Sequence, residues 1–240
     1  HRMTLFSLFG FDVRLHGSWI FLALLVAWSL AMGYFPRVEE GLSATTYWVM
    51  GVIGVFGLFF SIVFHELFHS LVARHYGLPM TGITLFIFGG IAEMYEEPEN
   101  PKTEAFMAIA GPIASLALWL AFGFLAAFGV NQNWPMAVNA VVIYLAQINL
   151  ILAIFNSLPA FPLDGGRVLR AILWKTFGDF RKATKWASGI GSVGGLILVG
   201  IGVFALFTGQ IIGGIWWILI GLFINFIAHT SYLQAVIRET

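Results

Sequence analysis

Ser61-Ile62-Val63-Phe64-His65-Glu66-Leu67-Phe68-His69-Ser70 places two histidines and a carboxylate inside a run that is otherwise apolar. His65 and His69 are four apart, so on a helix they project from one face, one turn from each other. Two imidazoles at that spacing can share one zinc ion. Glu66, beside the first of them, is placed to take a proton from an attacking water. The motif is short, but its setting strengthens it. An ionisable residue at bilayer depth costs about 2.5–3.5 kcal/mol on insertion scales. A Glu between two His in such a segment points to metal-assisted hydrolysis within a membrane.

Composition supports that setting. Of 240 residues, 59% are hydrophobic and 10% charged, against about 25% charged in a soluble domain; mean hydropathy is +0.88. Net charge is zero, which gives no reason to expect a nucleic-acid partner. With no cysteine in the chain, thiolate ligands and disulfides are excluded, and His, Asp and Glu remain as metal donors.

The length allows about six membrane helices. Apolar runs predict them at residues 19–35, 47–75, 104–128, 134–157, 185–207 and 211–233. His1-Arg2 precede Met3 and read as a cloning remnant. Phe11 to Leu15 alternates, which suggests a short strand or an interfacial piece. Residues 81–88 are rich in β-formers, Gly89-Gly90 suggests a turn, and residues 91–95 return: a hairpin at the membrane face. Glu93, Glu96, Glu97 and Glu99 read as a solvated acidic surface. Gly51, Gly54 and Gly57 give the second span a small face for helix packing. Pro112 should kink the third span or open its backbone. Arg167 to Phe177 reads as a basic amphipathic, interfacial stretch. With both termini cytoplasmic, eleven of the twelve Lys and Arg fall inside and only Arg37 outside, a strong positive-inside bias. Glu66, eight residues before Arg74, then lies roughly 12 Å below the cytoplasmic surface.

A catalytic zinc needs a third protein ligand. Asp164 stands out, in a loop on the same side, with Gly165-Gly166 letting the backbone pass close to other groups. The same carboxylate would serve equally as the N-cap of the following helix. His16, His75 and His229 are weaker candidates.

Phe64-His-Glu-Leu-Phe-His69 together with Asn156-Ser-Leu-Pro-Ala-Phe-Pro-Leu-Asp164-Gly-Gly-Arg167 resembles the site-2 protease family of intramembrane zinc metalloproteases. Phe88-Gly89-Gly90 and Gly111-Pro112 fit the same pattern, and the resemblance runs from about Leu5 to Leu233. It implies an all-α polytopic membrane protein of about six helices, with a small β-hairpin or sheet at the cytoplasmic face. It further implies one Zn2+ per chain on His65, His69 and Asp164, with Glu66 as general base and Asn156 stabilising the tetrahedral intermediate or holding substrate. The structural alternative for Asn156 is a cap on the fourth span. Expected activity is peptide hydrolysis within membrane segments of single-span substrates, as in regulated intramembrane proteolysis, in the cell membrane. There is no room for a PDZ domain between the spans, so residues 1–240 resemble the minimal core. Members of that branch often carry a C-terminal CBS domain, which is not expected within this stretch. Asn149 and Asn156 are candidates for lining a water path, and spans one and six for the parts that move apart. The rival class is a zinc transporter or metal-binding membrane protein.

Overall fold

The metal motif sits in the longest helix. In the computed structural model, which describes residues 2–86, 89–94 and 97–238, α3 spans Ala44–His75. Its start is fixed by the Ser43 side chain, which accepts from the Thr46 amide at 3.1 Å, an N-cap that satisfies one orphan donor. Before it, α1 (Trp19–Ser29) passes through one π-helical turn (Leu30–Tyr34) into α2 (Phe35–Val38). After it come α4 (Pro101–Asn131), α5 (Met136–Asn156), α6 (Asp164–Phe177), α7 (Phe180–Phe207) and α8 (Ile211–Arg238). Among the described residues, six helical segments are long and apolar enough to cross a membrane: Trp19–Val38, Ala44–His75, Pro101–Asn131, Met136–Asn156, Phe180–Phe207 and Ile211–Ile237. α4 continues through Pro112 without interruption. α6 begins at Asp164, three residues before the expected start.

Four strands form one sheet in the order β1-β2-β3-β4. β1 (Arg2–Leu8) and β2 (Phe11–His16) make an antiparallel hairpin. β3 (Met80–Phe86) joins β2 in parallel, Val13 opposite Ile83, and β4 (Gly89–Met94) pairs antiparallel with β3. The expected hairpin is there, but Gly89 and Gly90 belong to β4; Phe88, from the expected strand, lies outside the described residues. The β1 strand, which contains Arg2, went unread in the sequence. At its turn, Phe9 (φ 50°) and Gly10 (φ 82°) both take positive φ, the primed geometry that matches strand twist. Arg74, at the end of α3, secures this turn. It donates to the Phe9 carbonyl at 2.6 Å and lies 3.8 Å above the Phe11 ring.

The chain divides into two compact units, residues 1–95 with 111–153, and residues 96–110 with 154–240. In the first, α3 is buried on two opposite faces. Val63 and Leu67 pack with Phe11, Val13, Ile83 and Leu85 of the sheet. At 100° per residue, Ser61, His65 and His69 point about 200° away from that face. The sheet therefore cements the back of the very turns that carry the histidines. The glycine face is a packing device: a Cβ at Gly51 or Gly54 would meet α1 and the π turn, and one at Gly57 would meet Leu145 of α5. Asn149 is fully buried and does not line a water path. It donates to Ser61 Oγ at 3.0 Å and to the Leu145 carbonyl at 2.7 Å, pinning α5 to α3 where water cannot compete for the bond.

In the second unit, α7 and α8 approach backbone to backbone. Gly195 faces Gly221, and Gly202 faces Gly214. Asn225 on α8 donates to the Ser192 carbonyl and hydroxyl at 3.0 and 2.8 Å. Small residues at the seam with a polar bond across it are the usual way helices associate in lipid.

Candidate metal centre

His65 and His69 are both buried, 6% and 9% exposed, and their rings meet edge to face with centroids 4.7 Å apart. The two Nε2 atoms lie 3.1 Å apart. Two donors on one tetrahedral zinc, each at 2.0–2.1 Å, are about 3.3 Å apart, so the pair is already at ligand spacing. Glu66 is half-buried, and one ligand atom from each of His65, Glu66 and His69 falls within 4.8 Å of the others. Among the described residues this is the group of three such side chains that could hold an ion.

α4 completes this side of the centre. A Cβ built on Gly111 would lie 2.6 Å from His65 Nε2 and closer still to His69 Nε2. The space before the two nitrogens is therefore kept by the missing side chain of Gly111. One turn further, the Ser115 hydroxyl lies 2.9 Å from His65 Nδ1. Sequence reading took Gly111-Pro112 for a kink and passed over Ser115. The span holds many other small residues, so Gly111 and Ser115 carried no distinguishing local signal.

Asp164 and Asn156 are described within the second unit. Asp164 is 9% exposed and is the first residue of α6; the N-cap position is Leu163. The capping alternative thus gives way to a buried carboxylate in the first turn, where the helix dipole favours its charge. Asn156 is half-buried and ends α5. Between them the loop folds tightly. A Cβ at Gly165 would strike the Ser157 and Leu158 carbonyls, and one at Gly166 the Ala160–Phe161 backbone. Close approach is what the glycine pair allows.

Arg170, 4% exposed, fixes α6 from within. It donates to Glu104 Oε1 at 2.6 Å, lies 3.6 Å from Glu97, and sits between the Phe161 and Phe180 rings, 4.7 Å from each centroid. Glu104 is 1% exposed. Removing one partner of a buried pair strands the other charge, at a cost of about 3–5 kcal/mol. Glu104→Ala is expected to lower unfolding stability by less than that amount, because Glu97 stays beside Arg170, read by denaturant titration in detergent; an unchanged midpoint would refute the clamp.

Among the described residues, none of the remaining candidates is in the group formed by His65, Glu66 and His69. His16 Nδ1 bonds Ser18 Oγ at 2.8 Å; His75 is exposed beside Tyr76, and His229 is exposed on α8. Of the acidic run, Glu99 is exposed and Glu97 partly so, as a solvated surface requires; Glu96, and the side chain of Glu93, lie outside what is described.

A buried histidine pair with a glutamate, on a helix able to span a bilayer, defines a multi-pass membrane protein with a metallopeptidase-type centre. The profile of Peptidase family M50 matches residues 53–137 and 123–200, and the chain belongs to that family. It is 40% identical over 215 residues to Rip3 of Mycobacterium tuberculosis, covering 90% of this chain and 54% of Rip3. It is 34% identical over 229 residues to the zinc metalloprotease MJ0392 of Methanocaldococcus jannaschii, covering 94% and 59%. The chain thus spans a little over half the length of these relatives. The solved structure of the site-2 protease from Methanocaldococcus jannaschii matches with a TM-score of 0.66 at 31% identity, over 97% of this chain and 95% of that one.

Proposed function

We propose that the chain is a zinc metalloendopeptidase of the site-2 type. It hydrolyses peptide bonds in membrane-spanning segments of single-span substrates, the chemistry of regulated intramembrane proteolysis. The observation that carries this reading is the histidine pair: two buried Nε2 atoms 3.1 Å apart, on a helix able to span a membrane, facing a glycine. His65, His69 and Asp164 hold the ion in this reading. Buried donors of this type, two imidazoles and a carboxylate, suit zinc and leave a fourth position open. Zinc, when bound, supplies Lewis-acid activation of water and of the scissile carbonyl. Glu66 accepts the proton of the attacking water and passes it to the leaving amine. The Asn156 amide donates to the developing oxyanion, a type of contact whose loss elsewhere costs about 2.7–4 kcal/mol.

The positive-inside bias supports cytoplasmic termini and a site toward the cytoplasmic leaflet. A helical substrate must unwind to expose its carbonyls, and its freed backbone then needs partners. The outer edge of β4 is suited to strand addition, and its sheet packs on α3 at Val63 and Leu67, in the same turns as the histidines though on the opposite face. Proline at alternate positions of β4 tests this. In the outward phase it should impair cleavage with melting unchanged; in the inward phase it should break pairing with β3 and lower melting. Equal effects in both phases would count against strand addition.

The deciding experiment is purified protein in liposomes with a single-span substrate. Cleavage lost to a chelator and restored by zinc is expected. Zinc flux across the membrane without cleavage would favour the transporter reading instead.

A further inference from the structure

We infer that Ser115 is a positioning residue that selects the tautomer and ring orientation of His65. This rests on the reading of His65 as a metal ligand through Nε2. The two nitrogens of His65 face different tasks. Nε2 is turned toward His69 Nε2, 3.1 Å away, and Nδ1 toward Ser115 Oγ, 2.9 Å away. An imidazole that gives a lone pair from Nε2 must carry its proton on Nδ1, so Nδ1–H donates and the Ser115 hydroxyl oxygen accepts.

Ser115 is fully buried and His65 is 6% exposed. Inside a spanning helix no bulk water replaces a missing partner. Without the hydroxyl, Nδ1–H loses this acceptor, and the ring turns over or exchanges tautomers more readily, each of which withdraws Nε2 from the ion. Such outer-shell partners fix ligand orientation, and their loss typically lowers metal affinity 10–100-fold. A neutral hydroxyl is a weaker acceptor than a carboxylate, which places the expected effect near the lower end.

Ser115 also lies four residues after Gly111. One face of α4 therefore serves the centre twice, by the side chain Gly111 lacks and by the hydroxyl one turn later, although α4 contributes neither ligand nor base.

The test measures zinc affinity of the full chain in detergent by competition with a chromophoric chelator, and the visible d–d spectrum of the cobalt-substituted protein. Ser115→Ala should weaken zinc binding about tenfold and alter the cobalt bands, while Ser115→Thr, which keeps the hydroxyl, should restore both. His65→Ala serves as the reference and should abolish binding. Unchanged affinity and spectrum in Ser115→Ala, with binding abolished in His65→Ala, would overturn the inference and leave the ligand reading intact. A lowered melting temperature of zinc-free Ser115→Ala with zinc affinity unchanged would also overturn it, because that marks a packing role. Unchanged zinc binding in His65→Ala would overturn the inference together with the ligand reading.

Discussion

Glu66→Ala is expected to abolish peptide cleavage while leaving zinc bound. The side chain lies in the turn between the two histidines, within 4.8 Å of their ligand atoms, and it is half-buried. It is close enough to reach a water held at the centre. Proton transfer by a positioned base contributes roughly 10²–10⁴-fold to rate, and a shorter side chain leaves the water with no acceptor. The imidazoles are untouched, and Glu66 sits on the flank of α3 between the sheet face and the metal face, so its truncation disturbs neither Val63 and Leu67 nor His65 and His69. The measurement pairs initial cleavage rates of a single-span substrate in liposomes with elemental analysis of the same preparation. Cleavage at the wild-type rate with full zinc would remove Glu66 from the mechanism. Loss of zinc along with activity would instead make it a ligand.

How much of this was legible beforehand depended on the range of the interaction involved. Spacing four between His65 and His69 is a local property of one helix, and their shared face followed from helical pitch alone. The spans were legible for the same reason: lipid demands long apolar runs, whatever they pack against. Strand β2 and the 80–94 hairpin announced themselves through β-branched and aromatic residues. Strand β1 did not, because its pairing with β2 depends on the turn at Phe9-Gly10 and on Arg74, sixty-five residues away from Phe9. Asn149 was misread because a polar residue in a span looks the same whether it meets water or a serine; only the fold brings Ser61 to it. The sequence also concealed that α3 is buried on two opposite faces, since the packing of Val63 and Leu67 against Phe11, Val13, Ile83 and Leu85 depends on contacts distant along the chain. Gly111 and Ser115 were hidden more deeply. Their role lies in what α4 presents to α3, and no local pattern encodes a neighbour's need for an absent side chain.

That absence supports a second large effect. Gly111→Ala is expected to expel zinc and abolish cleavage with the helices intact. The added methyl would lie 2.6 Å from His65 Nε2 and nearer still to His69 Nε2, well inside van der Waals contact. A bound ion sits about 2.0–2.1 Å from each of its imidazole donors, so methyl and metal compete for the same space. The histidines cannot simply retreat, because α3 is held from behind by the sheet and His65 is held by Ser115. Alanine favours helix over glycine by about 1 kcal/mol, but the same methyl crowds both imidazoles in the zinc-free protein, an overpacking cost of about 1–3 kcal/mol, so zinc-free Gly111→Ala should melt somewhat below the zinc-free wild type while staying folded. What it should lose is the stabilisation that zinc confers, about 2.7 kcal/mol at a hundredfold excess over Kd. Gly123, on the same helix with open space around it, gives the matched control: Gly123→Ala should keep zinc, activity and the zinc-dependent rise in melting temperature. If Gly111→Ala binds zinc as tightly as Gly123→Ala does, the ion does not lie in the space between α3 and α4, and the centre would have to be sought on another face of the histidine pair.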